Sequence, residues 1–144
     1  EVYGKALAEA QKKLNYDPII AFVCDALSGA FAESQRTKDA LVALPRDWAG
    51  RGSFRRNSTA RRALQSLIKE PVVTVNDLAR TLDVSFQSAN QAIAKLAESE
   101  ILRERTNRGR NRIYAAEEVI SLLTREFGED PELALDHARQ LMKR

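Results

Sequence analysis

Two short amphipathic segments meet at a tight turn, and this junction restricts the possible folds more than any other feature of the sequence. Thr74 precedes the first segment, with Asp77 three residues later, which is the spacing of a helix-capping box. Asp83-Val84 forms the turn, and Ser85 is the expected cap of the second helix, which runs to about residue 99. The predicted buried faces are Leu78, Ala79 and Leu82 in the first helix and Ala89, Ile93 and Leu96 in the second. Two helices joined so closely cross steeply.

The neighbouring segments extend this pair into a longer pattern. Residues 59–69 have one apolar face and predict a helix that ends before Pro71, and Val72-Val73 is a short strand candidate. After the pair, residues 101–105 and 111–114 alternate as strands around a polar turn that contains Gly109. The order helix, strand, helix, turn, helix, strand, turn, strand is typical of a winged helix-turn-helix. We therefore predict this fold, with a three-helix core and a small β-hairpin wing, for residues 59–114.

The flanks are predicted to be helical, so the fold class is mainly α. Residues 2–14 form one amphipathic helix, and Asp17-Pro18 begins a long helix that we expect to end at Pro45. Residues 46–58 have the composition of a linker, within which Trp48 and Phe54 are expected to pack against neighbours. Helices at 117–126 and from 131 onwards complete the chain. The predicted segments are 1–45 (helical segment), 46–58 (linker), 59–114 (winged helix-turn-helix) and 115–144 (C-terminal helices).

The charge distribution is uneven along the chain. The net charge is only +3, but residues 46–114 contain 14 Lys or Arg and 7 Asp or Glu, a net of +7, and the flanks carry −4. A basic centre between acidic ends indicates a polyanion partner such as double-stranded DNA. The alternative is a solvated surface on which arginine contributes only solubility.

The outer face of the second helix of the pair carries polar side chains suited to a DNA groove. The candidate DNA-binding residues there are Ser85, Gln87, Ser88, Asn90, Gln91 and Lys95. Gln and Asn can hydrogen-bond adenine edges in the major groove. Glu98 also points outward and would lie poorly near phosphate, which restricts contact to the first half of the helix. The alternative is that these residues simply solvate an exposed helix.

The predicted wing is rich in arginine. Arg105, Arg108, Arg110 and Arg112 are the candidate DNA-binding residues there, and Arg103 shares a strand face with Arg105. A basic hairpin beside a recognition helix can follow the phosphate backbone or enter the minor groove. The alternative is a charged hairpin whose arginines pair with Glu98, Glu100 and Glu104.

The sequence contains no catalytic or metal-binding constellation. His137 is the single histidine and is expected on a polar helix face, and Cys24 is expected to be a buried structural thiol. No metal-ligand spacing, phosphate loop or GxGxxG occurs, so we expect neither enzymatic activity nor a cofactor. No apolar run is long enough to cross a bilayer, and we expect a cytoplasmic protein without a membrane partner.

Several segments together resemble the C-terminal region of Fic (Fic/DOC) family proteins. They are residues 43–48 (Ala-Leu-Pro-Arg-Asp-Trp), 71–79 (Pro-Val-Val-Thr-Val-Asn-Asp-Leu-Ala), 84–90 (Val-Ser-Phe-Gln-Ser-Ala-Asn) and 108–114 (Arg-Gly-Arg-Asn-Arg-Ile-Tyr). The resemblance spans Ile19 to Leu123. It implies a preceding catalytic Fic domain, which transfers AMP from ATP to a protein hydroxyl, with residues 2–14 as its tail. That domain's His-Pro-Phe…Gly-Asn-Gly-Arg loop is not in this sequence, so none of its catalytic residues carries over.

These observations leave two functions open. The first is a DNA-binding module that acts as the regulatory part of a Fic family protein. The second is a protein-interaction or dimerisation module that positions the catalytic domain or its target. The long helix carries more apolar side chains than a small domain can cover, so we also expect a two-fold homodimer. The alternative is that the preceding catalytic domain covers this apolar stripe in the full protein.

Overall fold

The computed structural model describes residues 1–106, 109 and 111–143. These residues form seven helices and three short strands: α1 (Val2–Lys13), α2 (Asp17–Arg51), α3 (Thr59–Lys69), β1 (Val72–Val73), α4 (Val75–Leu82), α5 (Phe86–Glu98), β2 (Arg103–Glu104), β3 (Tyr114–Ala115), α6 (Glu117–Thr124) and α7 (Pro131–Met142). The prediction of a mainly α chain is thereby confirmed. The chain divides into two compact units, Glu1–Arg36 and Thr37–Arg144, and α2 contributes residues to both.

The first unit is a helical hairpin of α1 and the first half of α2. Leu14 ends α1 in the left-handed conformation (φ 57°), which lets the chain reverse before α2 begins. The rings of Tyr3 and Phe22 meet with their centroids 5.6 Å apart. Cys24 lies away from this contact and is exposed, so the prediction of a buried thiol was wrong. The reason is that α1 covers a single face of α2, and Cys24 is on another.

The helix α2 does not end at Pro45, as the sequence predicted, but continues to Arg51. The predicted linker therefore shrinks, and residues 46–51 are helical. A proline within a helix loses one backbone hydrogen bond and costs about 3 kcal/mol. Burial of Leu44, Pro45 and Trp48 in the core of the second unit offsets this cost. Trp48 is fully buried, which confirms its predicted packing role.

The core of the second unit joins α3, α4 and α5 to the end of α2 and to the α6–α7 hairpin. Its largest fully buried side chains are Leu44, Trp48, Leu67, Leu78, Ile93, Leu96, Ile101, Leu102, Val119 and Leu122. The helix α5 buries Ala89, Ile93 and Leu96, as its apolar spacing predicted. The apolar residues Leu123 of α6 and Leu133 and Leu141 of α7 are instead exposed. Helical periodicity therefore accounts for the core face of α5, but not for every apolar position in α6 and α7.

The three strands form one antiparallel sheet in the order β1-β3-β2. Val73 pairs with Tyr114, and Glu104 pairs with Tyr114 from the other side. The strand predicted at Val72-Val73 is confirmed, whereas the two later strands are shorter than predicted. Ile101 and Leu102, expected in a strand, instead lie buried between α5 and β2. Pairing of β1 with β3 fixes the β2–β3 hairpin next to the start of α4.

None of the helices within the described residues combines the length and apolar character needed to span a bilayer.

Candidate nucleic-acid interface

Local hydrogen bonds set the start of α4 and α5. Thr74 and Asp77 form a complete capping box, in which the Asp77 N–H donates to Thr74 Oγ1 (3.2 Å) and the Thr74 N–H donates to Asp77 Oδ2 (3.1 Å). The Thr74 hydroxyl also donates to Asp77 Oδ2 at 2.7 Å, and this bond, together with the one from the Thr74 N–H, holds the pKa of Asp77 below its ordinary value. Asp83 ends α4 in the left-handed region (φ 51°), and Ser85 Oγ accepts from the Ser88 N–H to begin α5. The predicted cap and turn residues are therefore confirmed.

The helix α5 presents to solvent most of the side chains that the sequence selected. Gln87, Asn90, Gln91 and Lys95 are exposed, and Ser88 is half-buried. The Ser85 hydroxyl donates to the Ser88 hydroxyl at 3.1 Å, so these two serines also serve the helix cap. Ala89, Ala92, Ile93 and Leu96 fill the opposite face, which packs in the core. The outer face of α5 thus carries uncharged hydrogen-bonding side chains in its first half, and Lys95 and the exposed Glu98 are the charged residues of the helix.

A groove runs along one side of α5, between this helix, the start of α4 and the β2–β3 hairpin. Its volume is about 520 Å³. The described residues that line it are Thr74, Val75, Asn76, Phe86, Asn90, Gly109, Asn111, Arg112 and Tyr114. Phe86 is 58% exposed, which leaves an apolar ring among amide side chains and one arginine. The groove therefore offers hydrogen-bond donors and acceptors, one cation and one apolar surface.

A second groove, of about 250 Å³, lies on the other side of α5. Ser88, Gln91 and Lys95 of α5 face the residues before and at the start of α3 across it, among them Asn57 and Ser58. Ser58 caps α3 by accepting from the Arg61 N–H at 3.2 Å. α5 is therefore bordered on both sides by concave surfaces, with its polar outer face between them.

Two of the arginines predicted to bind DNA are engaged in ion pairs. Arg105 donates from Nε (2.8 Å) and from a terminal nitrogen (2.6 Å) to the carboxylate of Glu117, which is 4% exposed. These bonds to Glu117 raise the pKa of Arg105 above its ordinary value, against the lowering effect of burial. Arg112 lies 3.6 Å from Glu104. The alternative of internally paired arginines is therefore borne out at both positions. Arg112 pairs with Glu104, one of the glutamates that the sequence suggested, whereas Glu117, the partner of Arg105, was not among them.

The other two candidate arginines of the hairpin, Arg108 and Arg110, lie outside the described residues.

The sequence patterns did not single out several further basic residues near α5. Arg55 and Arg56, just before the second groove, and Arg61, in the first turn of α3, are exposed. The net charge of +7 over residues 46–114 included them, but linker composition gave no reason to single them out. The exposed ring of Phe86 was not predicted either, because its position in the helix does not show whether the ring lines a groove or packs in the core.

The described residues contain no group of three or more His, Cys, Asp or Glu side chains that could hold a metal ion. No model of a known protein family matches the chain, and no curated protein matches it. The assignment of function consequently depends on the geometry described above and on the sequence patterns.

Proposed function

We propose that residues 59–114 form a winged helix-turn-helix domain that binds double-stranded DNA, with α5 in the major groove. The single observation that carries this proposal is the outer face of α5. Gln87, Asn90 and Gln91 are exposed there beside Lys95, and concave surfaces border the helix on both sides. A helix that reads base edges needs polar, hydrogen-bonding side chains on its outer face, because both donors and acceptors line the major groove.

The proposed roles divide between bases and phosphates. Gln87, Gln91 and Asn90 face base edges, where an amide side chain pairs best with adenine. Lys95 and the exposed Arg55, Arg56 and Arg61 contact the backbone on the α3 side. Glu98 is exposed on the last turn of α5 and would repel phosphate, so base contacts are restricted to the first half of the helix.

Two arginines of the proposed wing have different roles: Arg105 is structural, and Arg112 is proposed to bind phosphate. Glu117 is almost fully buried and Arg105 satisfies both of its oxygens, so Arg105 anchors the hairpin to the start of α6. This replaces its predicted role as a DNA ligand. Arg112 is 52% exposed in its side chain and its distance to Glu104 is 3.6 Å, so a phosphate can displace that weak pair. Arg108 and Arg110 are proposed as further phosphate ligands from their place in the sequence.

We further propose that the chain is the C-terminal regulatory part of a Fic family protein and has no AMP-transferase activity of its own. The four segments quoted above support the family relationship. The absence of the family's His-Pro-Phe motif from the sequence supports the lack of activity, since His137 is followed by Ala138. Incubation with labelled ATP and candidate proteins is expected to give no transfer, and robust labelling would contradict this part of the proposal.

A second function, a protein-interaction module, is favoured by a different observation. The Arg105–Glu117 pair and the Arg112–Glu104 contact reduce the positive charge that the hairpin offers to phosphate. Under that function the hairpin would contact a protein, and duplex binding would be absent even at low salt.

Selection of genomic DNA fragments by the purified chain, at two salt concentrations, separates these functions. Recurrent enrichment of one sequence motif at both concentrations is the expected result. Failure to retain any duplex at ~50 mM salt would exclude DNA binding, because phosphate contacts are strongest at low ionic strength.

A further inference from the structure

We propose that a second copy of this chain packs on an exposed apolar face of α2 in the first unit. Ile20, Val23, Leu27 and Phe31 form this face and are 57%, 46%, 66% and 67% exposed. We name these four residues the α2 seam. At 100° per residue they lie within an arc of about 80°, so they form one continuous strip along the helix.

The first unit cannot cover the α2 seam itself. The half-buried residues of α2 in this unit include Phe22, Gly29 and Glu33, which lie on the opposite side of the helix, and Tyr3 of α1 contacts Phe22 there. The spacing of Ile20, Val23 and Leu27 is that of successive a and d positions in a heptad, which suits packing against another helix.

The area of the α2 seam matches what a stable dimer needs. The exposed parts of its four side chains present on the order of 400 Å² of apolar surface, a size at which a contiguous patch is often functional. A standard interface buries roughly 800 Å² per partner, of which about 55–65% is apolar. Two copies of the α2 seam, together with the polar residues at their edges, therefore form an interface of standard size.

The chemistry of the surroundings favours a second copy over a membrane. A membrane-surface helix carries Lys and Arg beside its apolar face, because these residues attract anionic lipids. In the first unit the single cation of α2 is Arg36, which at 100° per residue lies on the opposite side of the helix from the α2 seam, so no Lys or Arg of this part of α2 borders the seam. The α2 seam contains no charged group that would require an unlike partner, and two-fold symmetry places the same strip against itself.

Light scattering of the full chain across a dilution series tests the proposal independently of DNA binding. The expected mass is twice that of the chain at high concentration, falling toward the monomer on dilution. Leu27→Glu is expected to weaken association by more than ~100-fold, because the dimer would bury an unpaired carboxylate. Leu133→Glu is the matched control, since Leu133 is a leucine on α7 that is 55% exposed. It should leave the dimer intact.

Cys24 provides a second readout from the unmodified protein. It is exposed, adjacent in sequence to Val23 and the single cysteine of the chain. A short bis-maleimide should therefore yield a covalent dimer from wild type and much less from Leu27→Glu, while circular dichroism shows equal helix content. A wild-type chain that is monomeric at every concentration, or a Leu27→Glu variant that dimerises like wild type, would overturn the proposal.

Discussion

The indole N–H of Trp48 donates to the carboxylate of Glu118 at 2.6 Å, which joins two buried residues 70 positions apart in the sequence. Arg51 donates to both oxygens of the same carboxylate, and Arg139 donates to one of them from Nε at 3.0 Å. Asp47 accepts from Arg51 at 2.5 Å, so two arginines meet two carboxylates. Because each oxygen of Glu118 is satisfied, this charge can remain in the core where α2, α6 and α7 meet.

Removal of one member of this cluster should destabilise the fold strongly. Burial lowers the pKa of Arg51, but hydrogen bonds and charge from Glu118, and then from Asp47, raise it above its ordinary value. Arg51→Met leaves Glu118 underpaired in the core, and we expect the free energy of unfolding to fall by about 2–3 kcal/mol. Urea denaturation followed by circular dichroism measures this change.

Arg80→Met is the matched control for that substitution. Arg80 pairs with Asp77 at 2.8 Å, but its side chain is 77% exposed. Its loss is expected to change stability by less than about 0.5 kcal/mol. If the two substitutions changed the free energy of unfolding equally, burial of Glu118 would not be the reason that the cluster stabilises the fold.

Two glycines near the end of α2 should respond oppositely to alanine. A Cβ on Gly50 would meet no neighbouring atom, so Gly50→Ala should stabilise the helix by about 0.5 kcal/mol. A Cβ on Gly52 would lie 2.6 Å from the Ser99 hydroxyl oxygen and 2.7 Å from the Phe54 ring, so Gly52→Ala should destabilise by about 1–2 kcal/mol. Thermal unfolding of both variants measures the difference, and a stabilised Gly52→Ala would disprove the close approach.

The capping box predicts a pH-dependent contribution to stability. Because bonds from Thr74 hold the pKa of Asp77 below its ordinary value of 3.8, the stabilisation is present above that value and is lost as pH falls through the lower, folded-state pKa. We expect Asp77→Asn to be less stable than wild type by about 1 kcal/mol at neutral pH. This difference should shrink below about pH 4. Parallel denaturation curves at several pH values measure it, and a difference independent of pH would contradict the account.

Sequence patterns predicted the elements whose signals are local. The caps at Thr74 and Ser85, and the turn at Asp83, depend on hydrogen bonds within a few residues, so spacing alone identifies them. The apolar faces of α4 and α5 follow from helical periodicity in the same way.

Interactions between distant residues could not be predicted in this way. The helix passes through Pro45 because Trp48 reaches Glu118, and Arg105 is held by Glu117, which the sequence placed in another segment. The groove beside α5 likewise depends on the pairing of β1 with β3, which brings the hairpin to the start of α4. Local propensity carries no information about these contacts, since the partners are set by tertiary packing.

Base recognition by α5 predicts a loss of discrimination rather than of affinity when an amide is removed. Gln91→Ala should reduce the preference for the selected DNA sequence by about 1–3 kcal/mol, while binding to unrelated duplexes is unchanged. Gln65→Ala is the control, because Gln65 is exposed on α3 beside residues of α4 and not of α5. Competition binding with specific and unrelated duplexes measures both. A uniform loss across sequences would instead indicate that Gln91 contacts the backbone.

The most direct test of the proposed DNA binding is fluorescence anisotropy of a labelled duplex titrated with the chain between ~50 and ~200 mM salt. The logarithm of affinity should fall linearly with the logarithm of salt, with a slope of about −0.9 for each phosphate that the protein neutralises. Lys95→Ala and Arg112→Ala should each reduce the magnitude of the slope by about 1, and the Arg108→Ala/Arg110→Ala double variant should reduce it by about 1–2. Lys12→Ala, in the first unit, is the control and should leave the slope unchanged. Absence of binding at ~50 mM salt, or a slope that none of these substitutions alters, would contradict the assignment of this surface to DNA.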